Sequence, residues 1–123
     1  MRRRAAIVVL TFTFSVFGIS SAFAHAEVEA TSPVKGAVLT SAPRSVWIQF
    51  GEKLLVLDKN HINSITVTNS LGKRMENSLT VISGTRATAK IKRTLATGKY
   101  TVKYRVVSED GHVVNGSYFF SVK

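Results

Sequence analysis

The stretch Tyr100-Thr101-Val102-Lys103-Tyr104-Arg105-Val106 decides the fold of this chain. Its tyrosines and valines share one face, while its threonine, lysine and arginine share the other. Strict alternation of this kind is typical of a β-strand with one side in a core and the other in water. The stretch therefore predicts a strand of an antiparallel sheet.

Shorter segments with a similar alternation lie on both sides of this strand, and no segment keeps a helical period. Turn signals such as Asn69-Ser70-Leu71-Gly72 separate them. Short strands with frequent turns favour an all-β antiparallel sandwich or barrel of about seven strands. Further strands are predicted at 26–31, at 46–50, around Ile65 and Val67, at 79–82, at 87–93 and at 118–122, and 51–57 fits either a strand or an irregular segment.

The N-terminal segment has the three parts of a secretory signal peptide. Arg2 to Arg4 are basic, residues 5–17 are apolar, and Ala22-Phe23-Ala24 forms a small-residue cleavage site. We expect a leader at 1–24 and one mature domain at 25–123. The apolar run is shorter than the roughly 20 residues that a membrane crossing needs, so an uncleaved anchor is the weaker alternative. Export through a cleaved leader predicts a periplasmic protein without a membrane span.

Charge and cysteine content narrow the classes of partner and site. Three of the 17 basic residues lie in the leader and all 7 acidic residues lie outside it, so the mature part carries a net charge of +7. A protein with such a charge could bind an anionic membrane surface or nucleic acid. The basic residues are spread along the sequence instead of clustered, however, which favours a solvated basic surface and argues against a nucleic-acid partner. Lys90, Lys92, Lys103 and Arg105 either form a basic patch or protect strand edges. The absence of cysteine excludes thiolate metal centres.

Three residues suggest a metal site. Cleavage after Ala24 makes His25 the first residue, which adds its α-amine to its imidazole as a chelating pair. Asp110 and His112 are two apart, so they project to the same face if the chain is extended there. Together these donors form an N3O set, which Cu(II) favours in a tetragonal arrangement. The alternative is that Asp110-Gly111 is only a hairpin turn.

The remaining donors and catalytic motifs are weaker. Glu52 is a candidate axial ligand or hydrogen-bond partner of an imidazole, or else a surface charge. His61 lies in a polar loop and fits a surface histidine, while Met75 alone does not make a thioether Cu(I) site. The sequence contains no nucleophile elbow and no phosphate-binding glycine loop, so a hydrolase or a nucleotide-binding enzyme is not indicated.

Taken together, these residues resemble the CopC family of periplasmic copper-binding proteins, including its short YobA-like members. The resemblance spans the mature part, and its C-terminal portion is the most specific. It is carried by His25-Ala26, Ser32-Pro33-x-x-Gly36, Pro43-x-x-Val46, Phe50-Gly51-Glu52, Leu95-x-x-Gly98-x-Tyr100-x-Val102 and Val106-Val107-Ser108-x-Asp110-Gly111-His112-x-x-x-Gly116-x-x-x-Phe120-x-Val122.

The resemblance implies an Ig-like, cupredoxin-like sandwich or barrel and one Cu(II) ion held by His25, Asp110 and His112, with Glu52 as a weaker ligand. Gly51 stands where the family usually has serine, and the methionine-rich Cu(I) loop of some members is absent. The implied function is a monomeric, non-enzymatic Cu(II) carrier or buffer in copper homeostasis or resistance. Its implied partner is a CopD-type inner-membrane copper transporter. The alternatives are a copper-dependent oxidative enzyme with an N-terminal histidine, and a metal-free Ig-like interaction module.

Overall fold

The computed structural model describes residues 26–57, 61–77, 79–92 and 94–123. The predicted leader and His25 lie outside these residues. Across the described ranges the chain forms strands, turns and loops, and it contains no helix that is long and apolar enough to cross a membrane. The strands are β1 (Val28–Ser32), β2 (Val38–Leu39), β3 (Ser45–Phe50), β4 (Ser64–Thr68), β5 (Val81–Ser83), β6 (Arg86–Lys90), β7 (Gly98–Val107) and β8 (Val113–Val122).

The strands form two four-stranded sheets, in the orders β1-β3-β6-β5 and β2-β8-β7-β4. All neighbours are antiparallel except β2, which runs parallel to β8. The prediction of an all-β sandwich is confirmed, with eight strands among the described residues instead of about seven. The additional strand β2 has only two residues, too few to show a period.

The β7–β8 hairpin is the longest element of the fold. Its ten residue pairs run from Gly98 opposite Val122 to Val107 opposite Val113. The predicted inward faces are confirmed, since the alternate apolar residues of both strands pack into the core, with Tyr104 only partly buried. Gly116 lies opposite Tyr104, and the tyrosine ring occupies the space that a side chain at position 116 would need.

Strand β3 contributes the largest buried side chains of the other sheet to the core. Val46, Ile48 and Phe50 are fully buried, as their alternation predicts. The Phe50 ring meets the edge of the Tyr104 ring at a centroid distance of 5.9 Å, which joins the two sheets through a favourable aromatic geometry. Trp47 faces outward, and the Arg86 guanidinium lies 4.1 Å from its ring centroid.

The segment 51–57 is irregular, which settles the choice left open by its sequence. It runs beside the end of β7, where Leu54 forms a bridge with Ser108 and the Leu55 N–H donates to the Val107 carbonyl at 2.8 Å. Its first residue, Gly51, donates to the Glu27 carbonyl at 2.9 Å. Three distant segments of the chain therefore meet at one end of the sandwich.

The structure corrects the bounds of two predicted strands and shows where the basic residues named in the sequence lie. The strands expected at 79–82 and 87–93 are observed at Val81–Ser83 and Arg86–Lys90, because Ser83 pairs with Arg86 and the turn between the strands consists of Gly84 and Thr85. The four basic residues considered as one patch are divided between the sheets. Lys90 ends β6 of the first sheet, whereas Lys103 and Arg105 lie on β7 of the second.

Candidate metal centre

The candidate site lies in the loop that connects β7 to β8. The Ser108 N–H donates to the His112 carbonyl at 2.9 Å, and the Gly111 N–H donates to the Ser108 carbonyl at 2.9 Å. Gly111 has a φ of 89°, a left-handed conformation that residues with a side chain rarely adopt. The loop is therefore a tight turn, as the hairpin alternative predicts.

The turn brings Asp110 and His112 together. The Nδ1 atom of His112 lies 2.8 Å from Oδ2 of Asp110, and the His112 N–H donates to Oδ1 at 3.0 Å. The expectation that an extended strand would align the two side chains is wrong. They meet because the chain reverses at Gly111, which folds both side chains over the same turn.

The Asp110 carboxylate is held in its ionised form. The Ser108 hydroxyl, which donates to Oδ1, is the main cause of an Asp110 pKa well below the usual range, followed by the hydrogen bonds from His112. Ser108 is fully buried and anchors the turn, whereas the Asp110 side chain is 42% exposed. The site thus presents an accessible anionic oxygen beside an imidazole.

Ser108 is a residue to which sequence reasoning assigned no role. A serine two positions before an aspartate at a turn can donate its hydroxyl to the carboxylate, and this local chemistry is the signal that points to it. Its buried position also depends on the pairing with Leu54, which is distant in sequence.

The Asp110–His112 contact fits a bound copper ion. Nitrogen and oxygen ligands lie about 2.0 Å from such metals, so two adjacent corners of a square plane are about 2.8 Å apart. The separation of Nδ1 and Oδ2 equals that edge. Alternatively, the carboxylate can accept a hydrogen bond from Nδ1–H, which orients the ring so that its other nitrogen binds the metal.

The other predicted ligands lie in different positions. Glu52 is partly buried in the segment beside the loop, where the neighbouring Lys53 carbonyl accepts the Glu109 N–H at 3.0 Å. In the described ranges, no three histidine, aspartate or glutamate residues are grouped closely enough to hold a metal. His61 is exposed in the loop before β4.

His25 lies outside the described residues, but the chain that follows it has a defined position. Ala26 is fully buried in the core, and the Glu27 carbonyl accepts the Gly51 N–H. Gly51 begins the same segment that pairs with Ser108 through Leu54. The start of the described chain is therefore connected to the candidate site by two successive sets of backbone contacts.

Negative charge is concentrated in these segments although the chain is basic. Of the six carboxylate residues that the structure describes, five belong to the start of β1, the segment after β3 and the β7–β8 loop. This arrangement creates a local potential that attracts cations. The five residues are Glu27, Glu29, Glu52, Glu109 and Asp110.

Comparisons with known proteins identify the family to which this chain belongs. A family model described as the CopC domain matches residues 28–123. A copper resistance protein C from Xanthomonas campestris is 37% identical over 111 residues, covering 85% of this chain and 84% of the relative. The copper transport protein CutJ of Bacillus subtilis is 35% identical over 117 residues, but this chain spans only 21% of its length.

A solved structure shares the fold. The crystal structure of CopC from Methylosinus trichosporium superposes with a TM-score of 0.70 and 29% identity, covering 80% of this chain and 94% of that one. Asp110, His112 and Glu52 lie within the range that the family model matches. With its two-sheet sandwich, its charged β7–β8 turn and a match over nearly all of its described residues, this chain belongs to the CopC family.

Proposed function

We propose that this chain is a periplasmic Cu(II)-binding protein that carries or buffers copper in copper homeostasis or resistance. The observation that carries the proposal is the 2.8 Å separation of Asp110 Oδ2 and His112 Nδ1, which suits two adjacent Cu(II) ligands. Support comes from relatives named copper resistance protein C. Copper is the cargo of such a protein.

The remaining ligands in the proposal come from the N-terminus. Cleavage after Ala24 exposes the α-amine of His25, whose ordinary pKa of about 8 allows it to lose a proton to a metal near neutral pH. Amine and imidazole of one residue bind as a chelate, and Asp110 and His112 complete an N3O plane. Glu52 is a weaker ligand or a hydrogen-bond partner near this plane.

Four donors in the plane favour holding an ion over catalysis. An oxidative copper enzyme needs an open equatorial position for oxygen and a surface for its substrate, and the N3O plane leaves no such position. The protein then releases its copper to a partner, for which a CopD-type inner-membrane transporter is the candidate.

A Cu(II) titration of ligand variants tests the proposal. We expect His112→Ala and Asp110→Ala to weaken Cu(II) binding by at least about tenfold, the lower limit seen when groups around a metal are removed. His61→Ala is the matched control, because His61 is also an exposed histidine but lies in a different loop. Wild-type affinity in both site variants, with their fold intact, would refute the site.

A further inference from the structure

The outward side of the second sheet carries positive charge without a compensating carboxylate. Lys99, Lys103 and Arg105 project from this side of β7, and we call them the basic face. Their partners across β8 are Ser121, Ser117 and Asn115, and on β4 they are Thr66 and Ser64. Among the described residues, the contacts between basic and acidic side chains are Arg74–Glu76 and His112–Asp110, so none involves the basic face.

Exposed apolar side chains lie at one end of the same surface. Phe119 is 49% exposed and lies 4.0 Å, at its ring centroid, from the Lys99 ammonium. Val38 is 56% exposed on β2, where it pairs with Ser121, and Val34 is exposed in the preceding loop. The Phe119 carbonyl accepts the Gly36 N–H at 2.7 Å, which keeps this loop beside the aromatic ring.

We propose that this surface docks on an anionic phospholipid bilayer, with the basic face against the headgroups and the apolar end inserted among them. Lysine and arginine near an anionic leaflet each contribute about a fivefold factor in affinity. Exposed aromatic and aliphatic side chains beside lysines are the composition that lies at a membrane interface. An acidic protein segment would match the charge but would leave the three apolar side chains in water.

Docking with the apolar end innermost places the candidate metal site at the opposite end of the β7–β8 hairpin. Phe119 and His112 are seven positions apart in the chain, which corresponds to about 24 Å of extended strand, whereas Arg105 of the basic face pairs with Asn115, three positions from His112. Glu109 and Asp110 in the β7–β8 turn are repelled by an anionic surface, so the charge asymmetry along the hairpin favours the same orientation. The inference concerns a surface of the fold and does not depend on copper binding.

The test is a flotation assay, in which protein that binds to lipid vesicles rises with them in a density gradient. Every variant is purified in its exported form, so that all proteins compared have the same N-terminus. Vesicles of phosphatidylglycerol mixed with phosphatidylcholine are compared with vesicles of phosphatidylcholine alone. We expect binding to the anionic vesicles only, and a loss of about 30-fold in Lys99→Gln/Lys103→Gln. The matched control is Lys90→Gln/Lys92→Gln, which removes the same charge near the first sheet and is expected to change affinity far less.

A second variant separates the apolar contribution from the charge. Phe119→Ser should weaken vesicle binding at low and high salt alike, because insertion of the ring is not screened by ions. His112→Ala should bind vesicles as the wild type does. If the two double lysine variants lost vesicle affinity equally, binding would depend on the net charge of the protein and not on the basic face, which would overturn the proposal. Binding to poly-glutamate but to neither vesicle would assign the face to an acidic protein partner and also overturn it.

Discussion

Nδ1 of His112 lies 2.8 Å from Oδ2 of Asp110, because the chain reverses at Gly111 between the two residues. The buried Ser108 holds the carboxylate from the other side through its hydroxyl. A pair fixed in this way loses little conformational freedom when it binds a metal, which favours tight binding.

Removal of the Ser108 hydroxyl should raise the pKa of Asp110 toward its ordinary value. The hydroxyl is the largest cause of the lowered pKa, and the hydrogen bonds from His112 remain in Ser108→Ala. Carboxyl-detected NMR titration measures the change directly. Ser117→Ala, an exposed serine of β8, should leave the Asp110 pKa unchanged. An unchanged pKa in Ser108→Ala would mean that the backbone N–H and the imidazole of His112 stabilise the carboxylate without the hydroxyl.

The isosteric change Asp110→Asn separates the two roles open to the carboxylate. We expect Cu(II) affinity to fall by more than about 100-fold, because an outer partner of a ligating histidine contributes only 10- to 100-fold. The Cu(II) EPR spectrum should change as an oxygen ligand is lost. A smaller loss with an unchanged spectrum would instead make Asp110 the residue that orients His112.

Glu76 should make the fold sensitive to acid. Burial by itself would raise its pKa, but the Val67 N–H, which donates to Oε2 at 2.9 Å, and Arg74 together lower the pKa below 4.5. A carboxyl whose pKa is lower in the folded state stabilises the fold above its unfolded pKa and loses this contribution as the pH falls. The free energy of unfolding should therefore decline below about pH 4.5 in the wild type.

Two variants test this assignment by urea unfolding. Glu76→Gln should reduce the acid decline, because the Glu76 charge is absent at every pH, while the lowered pKa of Asp110 leaves a remaining decline at more acidic pH. Glu76→Ala should cost about 1–3 kcal/mol at neutral pH, since the Val67 N–H is then left without an acceptor. If Glu76→Gln declined with acid as steeply as the wild type, other carboxyl groups would be responsible.

Gly116→Ala should destabilise the fold by about 1–3 kcal/mol, because the new methyl group would collide with the Tyr104 ring. Thermal or urea unfolding measures the loss, and Asn115→Ala, on the exposed side of the same strand, is the control. The cost should shrink when Tyr104→Ala is present as well, since that variant removes the ring. Additive losses in the double variant would show that the two positions do not interact.

The sequence predicts the parts of the fold that depend on local periodicity. The inward residues of β3, β7 and β8 follow from alternation, because each strand has one side in the core. Strand β2 could not be predicted, since its two residues gain strand character only from their parallel pairing with β8. The same applies to the segment 51–57, whose position depends on contacts with residues more than 50 positions away.

The sequence indicated which described residues belong to the candidate site, but not how their side chains are arranged. Asp110 and His112 were identified from their side-chain chemistry, whereas their contact depends on a turn that the extended-strand argument did not include. The role of Ser108 required the three-dimensional position of its hydroxyl. A free α-amine on His25 requires cleavage after Ala24, an event outside the physics of folding, so both the cleavage and the place of His25 in the site stay predictions.

A Cu(II) titration followed by EPR tests the central claim most directly, using one protein that begins at His25 and one that retains Ala24 before it. The account predicts tight binding of one ion with a tetragonal spectrum only in the protein that begins at His25, because only there does the amine form a chelate with the imidazole. Equal binding and equal spectra in both proteins would contradict it, because the free amine would then have no part in the site.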